Sequence, residues 1–365
     1  MTRHYLDWNA TTPVRPEARA AMIEAMDLAG NPSSVHTEGR AARMLLERSR
    51  EQLAAALGAE GADIVFTSGT TEAATMVLAG RGIRCAAVEH SAVKVWCDPV
   101  LPVDGEGIVT VDDPARASLQ LANNETGVIQ DLPQGLDSSD LTQAFGKIPF
   151  AFNWLGVTAG FVSAHKLGGP KGVGALILKK GTDMPALIRG GGQEQGRRAG
   201  TENLVGIAGF AAAASAAQKE LEAGLWDEVA ARRDALEARL LDIAPTARIA
   251  GKNARRLPNT TCILTSGWKG ETQVMQMDLA GFAVSAGSAC SSGKIRASGA
   301  LQAMGFSDGE AQSAIRISIS PAVGRDEVNR FADAWESAYS RWRDRNGQAG
   351  RLAAGRTRDD RDHRS

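Results

Sequence analysis

The feature that most constrains this chain is a repeated hand-over from helical to strand periodicity. "GRAARMLLERSREQLAAALGA" carries apolar residues at helical spacing, and "DIVFT" after it reads as a short strand. "GTTEAATMVLAG" then opens as a turn and continues as a second helix. Further strands are expected at "CAAVE", "SLQLAN", "AGFVSA" and "GALILKK". Helices alternating with strands in this way predict an α/β architecture. "AAQKELEAGLWDEVAARRDALEARLLDIA" reads as one long amphipathic helix with a domain boundary near Pro245. Beyond it, "TTCILT", "FAVSAG" and "AIRISIS" read as strands and "RDEVNRFADAWESAYSRWRD" as a closing helix, a smaller α+β unit. The polar, Arg-rich end, residues 344–365, lacks apolar spacing and is expected to be a disordered, solvated tail.

Composition narrows the function. The 365 residues hold 41 Lys plus Arg against 42 Asp plus Glu, which argues against DNA or RNA binding carried by bulk charge, though not against a local basic patch. Forty glycines, several of them clustered, suggest backbone brought close to a ligand. The four cysteines, Cys85, Cys97, Cys262 and Cys290, show no CxxC pairing, so neither a disulfide scaffold nor a metal site is indicated. The start of the chain has no apolar signal-like run, and "GIAGFAAAASAA" is too short to span a bilayer. A soluble protein of the reducing cytoplasm, away from membranes, is the expectation.

Several stretches carry residues fit for chemistry. In "VSAHKLGGPKGVGAL" an apolar strand ends in Ser163, His165 and Lys166. Lys166 is either a Schiff-base amine positioned by its neighbours or a strand end facing water. In "FTSGTTEAAT", Gly69, Thr70 and Thr71 stand where a helix N-terminus meets either a phosphate or its own capping residues. "GGGQEQGRRAGT", ending at Thr201, is a second Gly-rich, cationic stretch, either touching the same phosphate or simply solvated. His90 stands just past a strand, and Asp140 and Gln143 are three apart; each pattern is also common by chance. Arg316 sits inside an apolar strand, where it must find a carboxylate, structural or belonging to a ligand. Cys290 lies in "GFAVSAGSACSSGKIRASG", a run of small residues that leaves a thiol exposed and mobile, whereas Cys85, Cys97 and Cys262 lie in or beside apolar runs and read as packing residues.

Taken in order, "YLDWNATTPVRPEA", "GNPSSVHTEGRAAR", "FTSGTTEA", "EHSAV", "LANNETGVIQ", "DLTQAFGKIP", "SAHKLGGPKGVGAL", "GGGQEQGRRAGTEN" and "SAGSACSSG" resemble the cysteine desulfurases, pyridoxal-phosphate enzymes of the class V aminotransferase group. The resemblance runs from about Tyr5 to Ser320. It implies a fold-type I enzyme with a mostly parallel, seven-stranded-type sheet between helices. The large cofactor-binding domain would span residues 14–245, and the small domain residues 1–13 and 246–343. Lys166 would hold pyridoxal 5′-phosphate as a Schiff base. His90 would stack on its ring and transfer protons, Asp140 would pair with the ring nitrogen, and Gln143 and Asn124 would contact the ring hydroxyl. Gly69, Thr70, Thr71, Ser163 and His165 would hold the phosphate, with Thr201 reaching across a homodimer to the partner's phosphate. Arg316, with Asn124, would bind the substrate carboxylate. Cys290 would take the sulfur, in the branch with a long mobile cysteine loop. The implied reaction converts L-cysteine to L-alanine and a persulfide that feeds a protein acceptor in iron–sulfur cluster assembly. Sulfur supply to tRNA thiolation, a selenocysteine lyase and another class V aminotransferase are the alternatives. The segment between His90 and Lys166 is short for the family.

Overall fold

The computed structural model describes residues 3–287 and 297–362, with side chains to 346. Its order is β1 (His4–Tyr5), α1 (Pro16–Met26), α2 (Thr37–Leu57), β2 (Asp63–Thr67), α3 (Thr70–Leu78), β3 (Arg84–Ala86), α4 (Ser91–Lys94), β4 (Asp98–Leu101), β5 (Leu136–Asp140), β6 (Val157–Ser163) and β7 (Gly174–Leu178). There follow α5 (Leu204–Glu222), α6 (Leu225–Ile243), β8 (Arg248–Ile249), β9 (Thr260–Leu264), α7 (Gly270–Leu279), β10 (Phe282–Ala283), β11 (Ser285–Ala286), α8 (Gly299–Ala303), α9 (Asp308–Gln312), β12 (Ala314–Ser318) and α10 (Arg325–Asp362).

The large sheet contains the strands β2-β7-β6-β5 in that order, and β3 pairs with β4. The segment 117–122 joins the two groups: Ser118 donates to the Arg84 carbonyl, and Leu119 and Leu121 donate to Ser138 and Asp140. Seven extended segments therefore stand in a row. The pairings make β7 the one reversed member of that row, antiparallel to both β2 and β6. This is the expected α/β fold with a mostly parallel sheet. Parallel strands need crossovers, and α3 and the connections through α4 and residues 141–156 supply them. Between His90 and β4 stands only the four-residue α4, the compact form of the segment that reads as short in the sequence.

Apolar side chains of α2, the strand faces and α5 close one core, including Leu46, Leu53, Phe66, Leu119 and Phe210. Ala-rich α5 is buried over most of its surface, which explains why its run resembles a membrane segment in composition. Gly174 shows how tightly the sheet meets α3. A Cβ there would lie 2.6 Å from the Gly69 Cα and 2.5 Å from the Val162 carbonyl oxygen.

A second core gathers Leu6, Trp226, Val229, Leu240, Ile263, Ile315, Ile317 and Phe331 under the antiparallel sheet β11-β12-β9-β8. Trp268, Trp335, Tyr339 and Trp342 stack along its α10 side. One expectation is corrected here. The single long helix is two, broken at Gly224, whose φ of 70° a glycine adopts at no steric cost. The second of them, α6, packs into this second core. The closing helix α10 spans Arg325–Asp362.

One ion pair fastens α6 to β9. Arg256 grips Glu237 through two bonds of 2.7 Å, and the Thr261 hydroxyl donates to the same carboxylate at 2.9 Å. Both side chains are more than nine-tenths buried, with 5% and 7% exposed. Removing one partner leaves the other charge buried and unpaired. Glu237→Ala should therefore lose about 3 kcal/mol in urea unfolding. The apolar pair Glu237→Leu with Arg256→Met should lose clearly less, and a smaller loss for the single variant would refute this account.

Candidate active site

The parallel strands all point their C-terminal ends to one edge of the large sheet, and a cavity of about 750 Å³ opens there. Ligands of open α/β sheets gather at this edge because loops and helix N-termini meet at it. β2 delivers Ser68 and Gly69, β3 leads to His90, the segment 117–122 to Asn124, β5 to Asp140, and β6 to Ser163, His165 and Lys166. β12 of the small sheet adds Arg316.

Lys166 is the centre of the cavity. Its Nζ donates to the carbonyls of Asn9 at 2.7 Å and Ala10 at 2.8 Å. Burial, and then the nearby Arg316 guanidinium, lower its pKa to about 8, against the opposing pull of Asp140 and Asp7. An amine in that range is available as a nucleophile near neutral pH. Its side chain is half-buried and points into the cavity, where two carbonyls hold it.

Asp140 is buried with 8% exposure, and its Oδ1 accepts the Thr142 N–H at 2.9 Å. His90 caps α4: its Nδ1 accepts the Ala92 N–H at 3.2 Å. Burial holds its pKa below the ordinary value, so the neutral ring carries its proton on Nε2. Gln143 donates to the Asn9 carbonyl at 2.9 Å. Asn124 lines the cavity, while its carbonyl accepts from Arg316 at 3.0 Å.

At the other end, α3 begins at Gly69 with no side-chain cap, leaving first-turn N–H groups beside Thr70 and Thr71. Thr70 shares a 2.7 Å hydrogen bond with Thr142. Ser163 and His165 complete this end, and Lys171 brings a cation to it. Burial and the surrounding lysines pull the His165 pKa down to about 4, so His165 serves an anion only as a neutral hydrogen-bonding ring.

Arg316 is 5% exposed. It donates to Asp7 at 2.7 Å, while its buried Nε has no partner among the described residues. The carboxylate that the strand position demands is thus partly structural, with one donor left over for another anion.

Eleven of the expected site residues meet in this cavity: Gly69, Thr70, Thr71, His90, Asn124, Asp140, Gln143, Ser163, His165, Lys166 and Arg316. Thr201 is exposed and outside its lining. Cys290 lies outside the described residues. Cys85 and Cys262 are buried, and burial pushes the Cys262 thiol up to about 12.

Comparison with known proteins reads the same way. The family Aminotransferase class-V matches residues 4–97 and 107–331, and the break falls on the exposed edge strand β4 and its turn. The chain is 39% identical to a cysteine desulfurase of Cereibacter sphaeroides, over 91% of this chain and 95% of that protein. It is 37% identical to the cysteine desulfurase NifS of Azotobacter vinelandii, over 89% and 90%. The chain belongs to the cysteine desulfurases of the class-V aminotransferase family. A NifS-like protein from Rickettsia africae superposes with a TM-score of 0.84 at 32% identity, covering 93% of this chain and 99% of that one.

Cysteine desulfurases use pyridoxal 5′-phosphate, and the residues present fit it. A low-pKa amine, a buried carboxylate, an uncapped helix N-terminus with hydroxyls and an unpaired guanidinium nitrogen share one cavity. Such a set suits an aldehyde, a ring nitrogen, a phosphate and a substrate carboxylate in turn.

Sequence reading missed Asn9, Thr142 and Asp7. Each is a short polar residue whose role is set by partners far along the chain, as Asn9 is by Thr260 and Asp7 by Arg316. The signal available was the polar "DWNATTP" directly after a strand-like start.

The Lys166 shift predicts how the cofactor-free protein takes up its cofactor. The folded pKa lies below the ordinary value, so the neutral amine rises with pH through about 8 and is complete above it. The rate at which cofactor-free protein captures added pyridoxal 5′-phosphate, followed by absorbance, should climb up to about pH 8 and then level off. A rate still climbing toward pH 10.4, the range of an exposed lysine, would contradict it.

Proposed function

We propose that this chain removes sulfur from L-cysteine, leaves L-alanine, and holds the sulfur as a persulfide on Cys290 for a protein acceptor in iron–sulfur cluster assembly. The observation that carries this reading is the meeting of Lys166, Asp140, His90 and Arg316 in one cavity, on a chain of this family.

Each residue is given the task that the family resemblance implies for its position. Lys166 would hold the cofactor and serve as the general base for the Cα proton of the substrate, with a pKa of about 8. Bound pyridoxal 5′-phosphate supplies an electron sink for the carbon that loses this proton. Asp140, buried at the end of β5, keeps the ring nitrogen protonated. His90 stacks on the ring and passes protons through Nε2, while Gln143 and Asn124 meet the ring hydroxyl. Gly69, Thr70, Thr71, Ser163 and His165 hold the phosphate at the start of α3. Arg316 fixes the substrate carboxylate through the N–H of its Nε, which has no partner among the described residues.

Cys290, as thiolate, attacks the substrate sulfur. The carbon–sulfur bond breaks with its electron pair left on the carbon fragment, which gains a proton at Cβ and regains one at Cα to leave as alanine, and the sulfur remains on Cys290. L-cysteine plus one enzyme thiol thus becomes L-alanine plus one enzyme persulfide, with no outside oxidant or reductant.

The active form is a homodimer in this reading. Thr201 is exposed outside its own cavity, available to complete the phosphate site of a second copy. The working place is the cytoplasm. Among the described residues no helix is long and apolar enough to cross a membrane, which is compatible with that placement.

The test separates cofactor from sulfur chemistry. Cys290→Ser should keep the yellow colour of the lysine-bound cofactor, while alanine and sulfide formed from L-cysteine and a thiol reductant drop at least about a hundredfold. Lys166→Ala should lose both. Full sulfide release by Cys290→Ser would sink the role of Cys290, and a colourless wild type would sink that of Lys166.

A further inference from the structure

Lys147 is a lysine with 1% exposure, yet among the described residues it bonds to no carboxylate. Its Nζ donates to the Gln143 backbone carbonyl at 3.2 Å and to Gln143 Oε1 at 2.6 Å. Four residues of turn after β5 bring the lysine back over that side chain, as i and i+4 positions on one helical turn face each other. As a stabilising element this is a poor choice. An apolar side chain of the same length would be buried at lower cost, and Lys166 and Arg316 add like charge nearby.

What Lys147 supplies is direction. A side-chain amide has two orientations that swap its acceptor and its donors. With an N–H of Lys147 on Oε1, the Gln143 Nε2 must turn to the Asn9 carbonyl, where it donates at 2.9 Å, and keeps one further N–H for the cavity that Gln143 lines. The same Asn9 carbonyl accepts Lys166. In the flipped orientation Gln143 would set an oxygen against that carbonyl, disturbing the cradle of Lys166 as well.

We propose that Lys147 is a positioning residue of the cofactor site: it locks the Gln143 amide so that its NH2 group serves both the cofactor and the Asn9 carbonyl that holds Lys166. This rests on Gln143 facing the cofactor, as in the function proposed above.

A double-mutant cycle decides it, using Lys147→Met, Gln143→Met and the pair, each freed of cofactor and titrated with pyridoxal 5′-phosphate. Lys147→Met should melt no lower than wild type as cofactor-free protein. Its affinity for pyridoxal 5′-phosphate should nevertheless fall about tenfold, the worth of one well-placed hydrogen bond. The pH midpoint of the visible absorption of its bound form should move, a change that loss of packing alone would not produce. On the Gln143→Met background the same change should add less than about twofold. Unchanged affinity and spectrum in folded Lys147→Met, or losses that multiply in the pair, would overturn the proposal. Should Lys147→Met fail to fold, Gln143→Glu carries the test. Its carboxylate keeps the bond from Lys147 but cannot donate to Asn9, so affinity should fall as in Gln143→Met; wild-type affinity would overturn the proposal. Wild-type protein that takes up no cofactor would instead overturn the active-site reading and this inference with it.

Discussion

The site depends on one backbone carbonyl, that of Asn9. It accepts Lys166 at 2.7 Å and Gln143 at 2.9 Å. The same residue's side chain bonds Thr260 at 2.8 Å, Asn259 at 3.1 Å and the Asn124 carbonyl at 3.3 Å, and its N–H donates to Ser318. Asn9 is 1% exposed, so each of these bonds replaces water that cannot return. A short segment near the start of the chain thus ties β9 and β12 of the small sheet to the lysine and glutamine beyond β6 and β5. The cradle of Lys166 is therefore built from segments far apart in the chain.

That arrangement controls charge. Around the cavity, burial is the first cause that lowers the pKa of Lys166, His90 and His165. The three bases therefore tend toward neutrality, while the Arg316 guanidinium is held by Asp7. The result is a division of labour among basic residues. Arg316 offers fixed charge to an anion, and Lys166 and His90 offer lone pairs and exchangeable protons. A site of the same residues open to water would keep Lys166 protonated near its ordinary value and lose that division.

Much of this was legible in the sequence, for reasons that can be named. Strands β2, β6, β7, β9 and β12 are runs of apolar residues buried on both faces, and such runs stand out between helical patterns. β5 does not stand out: Leu-Asp-Ser-Ser-Asp has one apolar residue, although all five are buried. Two of its polar side chains find partners far along the chain, Asp137 in Arg81 and the Ser139 hydroxyl in the Leu119 carbonyl, and no local pattern announces such partners. The break between α5 and α6 was hidden in the opposite way. Helical periodicity continues across Gly224, and only the packing of Trp226 and Leu240 into the second core shows that α6 serves a different core from α5. Among site residues, those next to a recognisable strand end, such as Lys166, His90 and Gly69, could be placed. Asn9, Asp7 and Lys147 could not, because their meaning lies in tertiary contacts.

Arg316 shows why the two sheets must meet at this point. A strand inside a core is an expensive place for a guanidinium, and Asp7 with the Asn124 carbonyl offsets only part of that cost, since Nε is buried with no partner among the described residues. Asp7 is itself bound by the Ser285 hydroxyl at 2.8 Å, so the acid that restrains Arg316 belongs to the same N-terminal segment as Asn9. The segment therefore reaches both sides of the cavity: through Asn9 it holds the Lys166 amine, and through Asp7 it restrains the Arg316 guanidinium. With Arg316 aimed from the small sheet and Lys166 from the large one, a shift between the sheets changes the distance between guanidinium and amine. In the function proposed above, proton removal beside the substrate carboxylate requires this distance to be held, and burial of the Asn9 network is what holds it.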